Sequence, residues 1–293
     1  ALVEISELNY YCSNGLLNEI KTMFNNGIPY GIIKYLEFNF EIACINGHIE
    51  VAKWILSIKH NMDINIFNNA FKCACSKGHI AIVKWLYSIK PNINISDGDD
   101  FAFRISCANG HLELAKWLIQ VKPNINISAG PYGDYAFYMA CQNGYYEIVK
   151  WLILIKPSIN ISTAGEYAFK MACQNGHLKI AKLLLHIKPT INISADTDYA
   201  FRFSCKNGHI EIAKWLYKIQ PSLNVSANKE WSFRMACTNN KMQIVRWLLI
   251  IKPDLDICAE DHWAFRCASY QQNVELLQIL VNLKPYIYKL EYD

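Results

Sequence analysis

Cysteine and histidine are the residues whose numbers first invite chemistry. Eleven cysteines in 293 residues raise the prospect of a disulfide protein. Eight of them recur in a row: Cys12, Cys44, Cys75, Cys107, Cys141, Cys173, Cys205 and Cys237. Helices stacked at that interval lie roughly 8–10 Å apart, beyond the reach of about 7 Å between Cα atoms that a disulfide allows. Zinc needs Cys-x₂₋₄-Cys clusters, and the nearest approach is Cys73-x-Cys75, two residues that point differently. The row therefore reads as small buried core residues in a reducing, intracellular compartment. Histidine makes a second row: His48, His79, His111, His177 and His209. One imidazole per repeat does not converge on a metal, so these read as packing and hydrogen-bonding groups at helix starts. No histidine has a serine, cysteine or carboxylate at triad spacing, and no Gly-rich phosphate loop occurs. The sequence thus implies no catalytic residue, no metal and no cofactor.

Two more rows could carry binding. Lys72, Arg104, Lys170, Arg202, Arg234 and Arg266, with Tyr138 in the gap, form a basic row of the kind that can follow a nucleic-acid backbone. An acid precedes most members by four, as in Asp100–Arg104, Glu166–Lys170, Asp198–Arg202 and Glu230–Arg234. That is the helical i,i+4 pair with the acid first, so internal neutralisation is expected. Trp54, Trp85, Trp117, Trp151, Trp215 and Trp247 make an aromatic row with core spacing. Its alternative use is a partner patch. Five Asn-x-Ser triplets, at Asn94, Asn126, Asn160, Asn192 and Asn224, read as loop residues, because the free-thiol pattern does not fit a secretory route.

The elements that position these rows are copies of one unit. Nine anchors, from Gly15 through Gly208 to Asn240 and Gln272, follow one another at steps of 31 to 34 residues, a period that belongs to solenoids. Within each, aromatic-Ala-Phe-x-x-Ala-Cys, as in Tyr167–Cys173, places Phe and Cys on one helical stripe. Asn-Gly breaks that helix. A second helix follows, with Ile212, Ala213, Leu216 and Ile219 on one face and an orientation antiparallel to the first. Lys-Pro ends it, for example at Lys90-Pro91 and Lys252-Pro253, since proline removes a donor and biases its predecessor away from helix. Ile-Asn-Ile-Ser then predicts an extended finger, and a polar tip leads to the next unit. With 52% hydrophobic and 18% charged residues the chain has the composition of a folded protein. A net charge of +4 makes no case for a polyanion partner. No apolar run approaches a membrane span, and residues 1–9 lack the basic start of a signal peptide.

Helix, turn, helix and finger at this period resemble the ankyrin-repeat family. The resemblance rests on Gly-His-Ile-Glu-Ile-Ala-Lys-Trp-Leu at Gly208–Leu216, with Gly110–Leu118 and Gly47–Ile55 close to it, and on Ala172-Cys173 where the family has Ala-Ala. It covers 8–293. The family's Thr-Pro-Leu-His is replaced by Tyr-Ala-Phe-Lys/Arg, as at Tyr167–Lys170, and its helix-ending Gly by Lys ahead of Pro; Gly27 survives in the first unit, and Gln220-Pro221 serves in the seventh. The Ile-Lys-Pro-x-Ile-Asn-Ile variant is similar to ankyrin arrays of giant DNA viruses of amoebae.

The reading is one all-α repeat solenoid domain over 1–293: a degenerate N-terminal repeat at about 8–39, regular repeats at about 40–262 and a capping repeat at about 263–293. Shared residues build such an array and unshared surface residues recognise. The unshared ones are the tips and the residues beside the helix turn. By resemblance they line the concave face, which implies protein binding at Asp99, Asp100, Tyr132, Asp134, Gln142, Glu166, Gln174, Asp196, Asp198, Lys206, Lys229 and Glu230. The acidic tips favour a basic or polar protein surface. An intracellular adaptor is expected; a structural or virion-assembly component is the alternative, with a nucleic-acid array behind it.

Overall fold

A computed structural model describes residues 2–27, 31–131 and 133–288. Its helices run in order as α1 (Leu2–Asn14), α2 (Leu17–Asn25), a 3-10 turn at Ile32–Tyr35, α3 (Leu36–Ile45), α4 (Ile49–Ile58), α5 (Ile64–Lys77), α6 (Ile80–Ile89), α7 (Asp97–Ala108), α8 (Leu112–Val121) and α9 (Tyr135–Asn143). They continue as α10 (Tyr146–Ile155), α11 (Thr163–Gln174), α12 (Leu178–Ile187), α13 (Ala195–Asn207), α14 (Ile210–Ile219), α15 (Ala227–Thr238), α16 (Met242–Ile251), α17 (Ala259–Tyr270), α18 (Val274–Leu283) and α19 (Pro285–Tyr288). No strand occurs among the described residues. The fold is an all-α repeat solenoid, as the periodicity implied.

The chain divides into two compact units, 1–140 with 150–159, and 141–149 with 160–293. In the first, α1, α3, α5 and α7 stack in succession, and each also packs on the helix that follows it. In the second, α11, α13, α15 and α17 stack likewise, with α12, α14, α16 and α18 as their partners and α19 against α18.

The core of each repeat is the set that the periodicity picked out. Phe103, Cys107, Leu114, Ala115 and Leu118 are buried in the first unit, as are Phe201, Cys205, Ile212, Ala213 and Leu216 in the second. The tryptophans are half-buried, and several pack on the phenylalanine of the preceding repeat: Phe40–Trp85, Phe103–Trp151, Phe169–Trp215 and Phe201–Trp247, all at 6.2 Å between ring centroids. They are core, cementing one repeat to the next. All eleven cysteines are unpaired. Burial raises the thiols of the buried row, that of Cys12 to about 12, which makes them poor nucleophiles.

Glycine and histidine lock together across repeats. Gly78 has φ +78°, and a Cβ there would lie 2.4 Å from Nδ1 of His111 in the next repeat. The histidine ring thus fills the space that glycine leaves. His111 Nε2 donates to the Ser76 carbonyl at 3.1 Å, and Asn109 Nδ2 donates to the same oxygen at 2.7 Å. Two donors from the Asn-Gly-His triplet therefore satisfy one carbonyl at the end of the preceding first helix. His177 and Asn175 treat the Gln142 carbonyl alike. The histidine row is a hydrogen-bonded seam.

The expected extended finger is replaced by tight turns. After α6, Ile93 N donates to Lys90 O and Asp97 N to Asn94 O, both at 3.1 Å. Ile93 and Ile95 are buried between them, which is what their alternation recorded. The Asn-x-Ser triplets close local turns on themselves: Ser128 N donates to Asn126 Oδ1, Ser162 N to Asn160 Oδ1 and Ser194 N to Asn192 Oδ1, at 3.1–3.2 Å.

Candidate protein-binding face

In four repeats the tip that follows the turn is a single left-handed helical turn. Asp196, Thr197 and Asp198 have φ of 51°, 57° and 58°, and Asn228, Lys229 and Glu230 have 53°, 56° and 58°. Gly98, Asp99 and Asp100 repeat the shape, as do Glu260, Asp261 and His262. The sequence predicted the first helix to open at the aromatic residue; instead this turn runs straight into it. L-residues pay roughly 1–2 kcal/mol each for such a conformation, so something must hold them there.

Two groups do. The first is the carboxylate at the end of the turn. Asp100 accepts from Ser96 Oγ at 2.5 Å and from the Asn126 amide of the following repeat at 2.9 Å. Glu166 accepts from Ser162 Oγ at 2.7 Å and from Asn192 N at 3.4 Å, and Asp198 from Asn224 N at 3.3 Å. Asp134 is bound by Ser128 Oγ and lies 3.8 Å from Lys156 Nζ. These carboxylates and Glu230 are only 6–9% exposed. A buried carboxylate that ties one repeat's tip to the next repeat's turn is a structural part. Of the residues expected to meet a partner, Asp100, Asp134, Glu166, Asp198 and Glu230 are thus buried side chains and not the exposed tip groups that the sequence implied.

The second group is the basic row. Arg202 Nε donates to Thr197 O at 2.7 Å and Nη2 to Asp196 O at 2.9 Å. Arg104 treats Asp99 O and Gly98 O in the same way, and Arg234 treats Lys229 O and Asn228 O. The expected i,i+4 hydrogen-bonded pairs with Asp100, Asp198 and Glu230 are therefore replaced by bonds to the carbonyls of the left-handed turn, because the turn aims those carbonyls at the guanidinium. Ion pairing is found across repeats: Lys72–Asp97 at 2.8 Å, Lys170 with Asp196, and Lys229–Glu260 at 2.6 Å. Lys72 holds the Asp97 carboxyl below its usual range, first through the hydrogen bond and then through its charge. Burial lowers Arg202 below the usual guanidinium value.

Four of the six cations also lie over the aromatic ring of the next repeat: Arg104 over Tyr135 at 5.3 Å, Lys170 over Tyr199 at 5.4 Å, Arg202 over Trp231 at 5.0 Å and Arg234 over Trp263 at 5.9 Å. These are cation–π distances. The rings are held from the other side, by Tyr167 Oη donating to Gln142, Tyr199 Oη to Gln174 and Trp263 Nε1 to Thr238. In each unit the first-helix face is therefore a ladder of alternating cations and rings. Sequence reading found the cations but not the rings as their partners; the signal was the aromatic residue three positions before every cation of the row except Lys72.

Among the residues singled out from the sequence, Asp99, Asp196 and Lys229 are exposed on the left-handed turns, and Gln142, Gln174 and Lys206 are half-buried beside the helix turn. Asp99 accepts from Gly130 N at 2.7 Å, and Lys206 Nζ lies 5.3 Å from the Phe203 ring. Tyr132 lies outside the described residues. No group of three or more His, Cys, Asp or Glu among the described residues is placed to hold a metal, and no helix there is long and apolar enough to cross a membrane.

Stacked helix pairs, a Gly-His seam and tight connecting turns define a repeat protein of the helix–turn–helix class. The family model for ankyrin repeats matches residues 71–163, 103–197 and 137–227, and a second ankyrin-repeat model matches 40–87. The chain belongs to the ankyrin-repeat family. The helix pairs at 2–25 and 259–283 lie outside the matched segments and carry the same architecture. Comparison with curated proteins finds none that matches the sequence. Ankyrin repeats generally mediate protein–protein interactions, and ankyrin-repeat proteins are typically non-enzymatic scaffolds.

Proposed function

We propose that this chain is an adaptor that captures a partner protein on its first-helix face and the adjoining left-handed turns. The observation that carries the reading is a division of labour within each repeat. The seam, the Phe-Cys core and the buried carboxylates recur from unit to unit, whereas the exposed middle of the left-handed turn changes identity: it is Asp99, Thr197, Lys229 or Asp261. The half-buried residue after the row cysteine varies too, as Ser76, Gln142, Gln174, Lys206 or Thr238. A surface that varies on a constant frame is where specificity resides.

The ladder also bears on nucleic acid. On Arg104, Arg202 and Arg234 the Nε and Nη2 donors are engaged by carbonyls, and four rings lie against cations, which reduces what phosphate contacts and base stacking could use. That supports a protein partner over a nucleic-acid array.

The test is a capture experiment with paired variants. Asp99→Lys, Asp196→Lys, Lys206→Glu and Lys229→Glu together should lower partner recovery at least tenfold. Leu154→Ser with Ile250→Ser, at side chains of the second helices that are 76% and 75% exposed, should leave recovery unchanged. The opposite pattern would move the interface to the second helices and favour the assembly-component reading.

A further inference from the structure

One rung of the ladder has its charge reversed. Counting back from the row cysteine, the third residue is Lys72, Arg104, Lys170, Arg202 or Arg234, with neutral Tyr138 before Cys141, but before Cys44 it is the acid Glu41. The sixth residue back is an aromatic, Phe101, Tyr135, Tyr199 or Trp231, and the last three lie against the preceding cation, but before Cys75 it is Asn69. The second residue back is Ile105, Met171, Phe203 or Met235, but before Cys75 it is the smaller Cys73. These three departures meet at one place. A cavity of about 430 Å³ opens there, lined by Glu41, Asn69, Lys72, Cys73, Gly98 and Phe101.

The chemistry of that cavity is defined by what it lacks and what it holds. Where Arg104, Lys170, Arg202 and Arg234 lie against rings of the chain itself, this rung presents a carboxylate. Asn69 hydrogen-bonds the Glu41 side chain, yet Glu41 Oε1 is buried without a hydrogen-bond partner among the described residues. Lys72 is engaged by Asp97 at 2.8 Å, which leaves Glu41 as the uncompensated charge of the lining. Phe101 supplies an aromatic wall, and Cys73 is a half-exposed thiol in a family of otherwise mostly buried ones.

We propose that this cavity is a socket for an arginine or lysine side chain of the partner protein. The incoming cation supplies the positive charge that this rung lacks. Its head pairs with Glu41, satisfying the buried oxygen, and its alkyl stem lies against Phe101 and Cys73, as long basic side chains cover apolar surface elsewhere. The inference rests on the adaptor reading and names one chemical feature of the partner.

Cys73 makes the socket testable without a partner. The probes are two methanethiosulfonate reagents of similar size, the cationic aminoethyl and the anionic sulfonatoethyl compound, with modification at Cys73 followed by peptide mass spectrometry. The readout is the ratio of the two rates, which cancels changes in thiolate fraction. Glu41→Gln should lower the cation-to-anion ratio at Cys73 at least fivefold and leave the ratio at half-exposed Cys267 unchanged. Acidification of the unmutated protein should lower the ratio in the same direction. The groups facing Glu41 in that titration are Glu37, Cys44 and Cys73, with Lys72 and its partner Asp97 beside them. This wild-type arm stands even where the variant folds poorly. A ratio unaffected by both changes, or no modification of Cys73 by either reagent, would overturn the socket while leaving the capture experiment above to judge the adaptor reading.

Discussion

Arg202 and Glu41 occupy the same position in their repeats and have opposite surroundings. Arg202 donates to two carbonyls of the left-handed turn beneath it and lies 5.0 Å from the Trp231 ring. It is 9% exposed, as much a part of the frame as the phenylalanines. Glu41 has an amide in place of the ring, a thiol in place of a Met or Phe, and an oxygen with no hydrogen-bond partner among the described residues. One rung is complete within the chain and the other is open. The difference teaches that in an array built of copies, a filled position contributes stability and an unfilled one is available for recognition.

The most damaging ways to probe the frame are to disturb its glycine–histidine seam and its complete rung. Gly78→Ala should cost about 2–4 kcal/mol in denaturant unfolding, since it combines a left-handed residue with a Cβ driven into His111. Arg202→Ala should cost about 1.5–3 kcal/mol, the range for hydrogen bonds to a charged group, because it frees the carbonyls of Asp196 and Thr197. Neutralising the charge at the open rung should differ in sign. Glu41→Gln should be neutral or stabilising at pH 7. Burial, opposed by the Asn69 hydrogen bond and aided by the Glu37 charge, raises the Glu41 carboxyl above its ordinary value. A raised acid binds its proton more tightly in the folded state, so its contribution is largest below the ordinary carboxylate value and is lost as pH climbs through the raised one. The gain of Glu41→Gln over the parent should therefore grow from pH 4 to pH 7. If Glu41→Gln destabilises at pH 7 as much as Arg202→Ala, the two rungs are equivalent and the comparison fails.

Smaller effects sharpen the account of the turns. Thr197 is a β-branched residue at φ 57°, so Thr197→Gly should stabilise by about 0.5–1 kcal/mol. Burial holds the His209 imidazole below its usual pKa, against the Gln174 carbonyl and with His177 and Lys241 adding to the depression. The folded state thus disfavours the extra proton. Its share of stability is full above about pH 6.5 and declines as pH falls from there toward the lowered value. Substituting His209→Asn should flatten that part of the stability–pH curve in a urea series.

Much of the frame was legible because its signals are periodic. The row cysteines, the Asn-Gly-His triplet and the Lys-Pro stops recur at one interval, and each has a single structural use. What stayed hidden has physical causes. Three consecutive left-handed residues leave no propensity signature when they are Asp196, Thr197 and Asp198, because the conformation is imposed by Arg202 and by the Ser194–Asp198 backbone bond and not chosen locally. The same turn redirected the guanidinium from the carboxylate four residues back to the carbonyls, so a spacing rule valid for a straight helix gave the wrong partner. Burial of Asp100 and Asp198 follows from the next repeat's backbone donating to them, a contact between segments 26 residues apart. Glu41 was visible in the register of Cys44 but lay outside the basic row, which begins at Lys72.

The central claim is that recognition resides on the first-helix face. Hydrogen exchange of the chain alone and with its captured partner tests it most directly. The account expects slowed exchange in the turns and first helices around Asp97–Arg104, Asp196–Arg202 and Asn228–Arg234, with the second helices Leu112–Val121, Ile210–Ile219 and Met242–Ile251 unchanged. Protection confined to those second helices would contradict it.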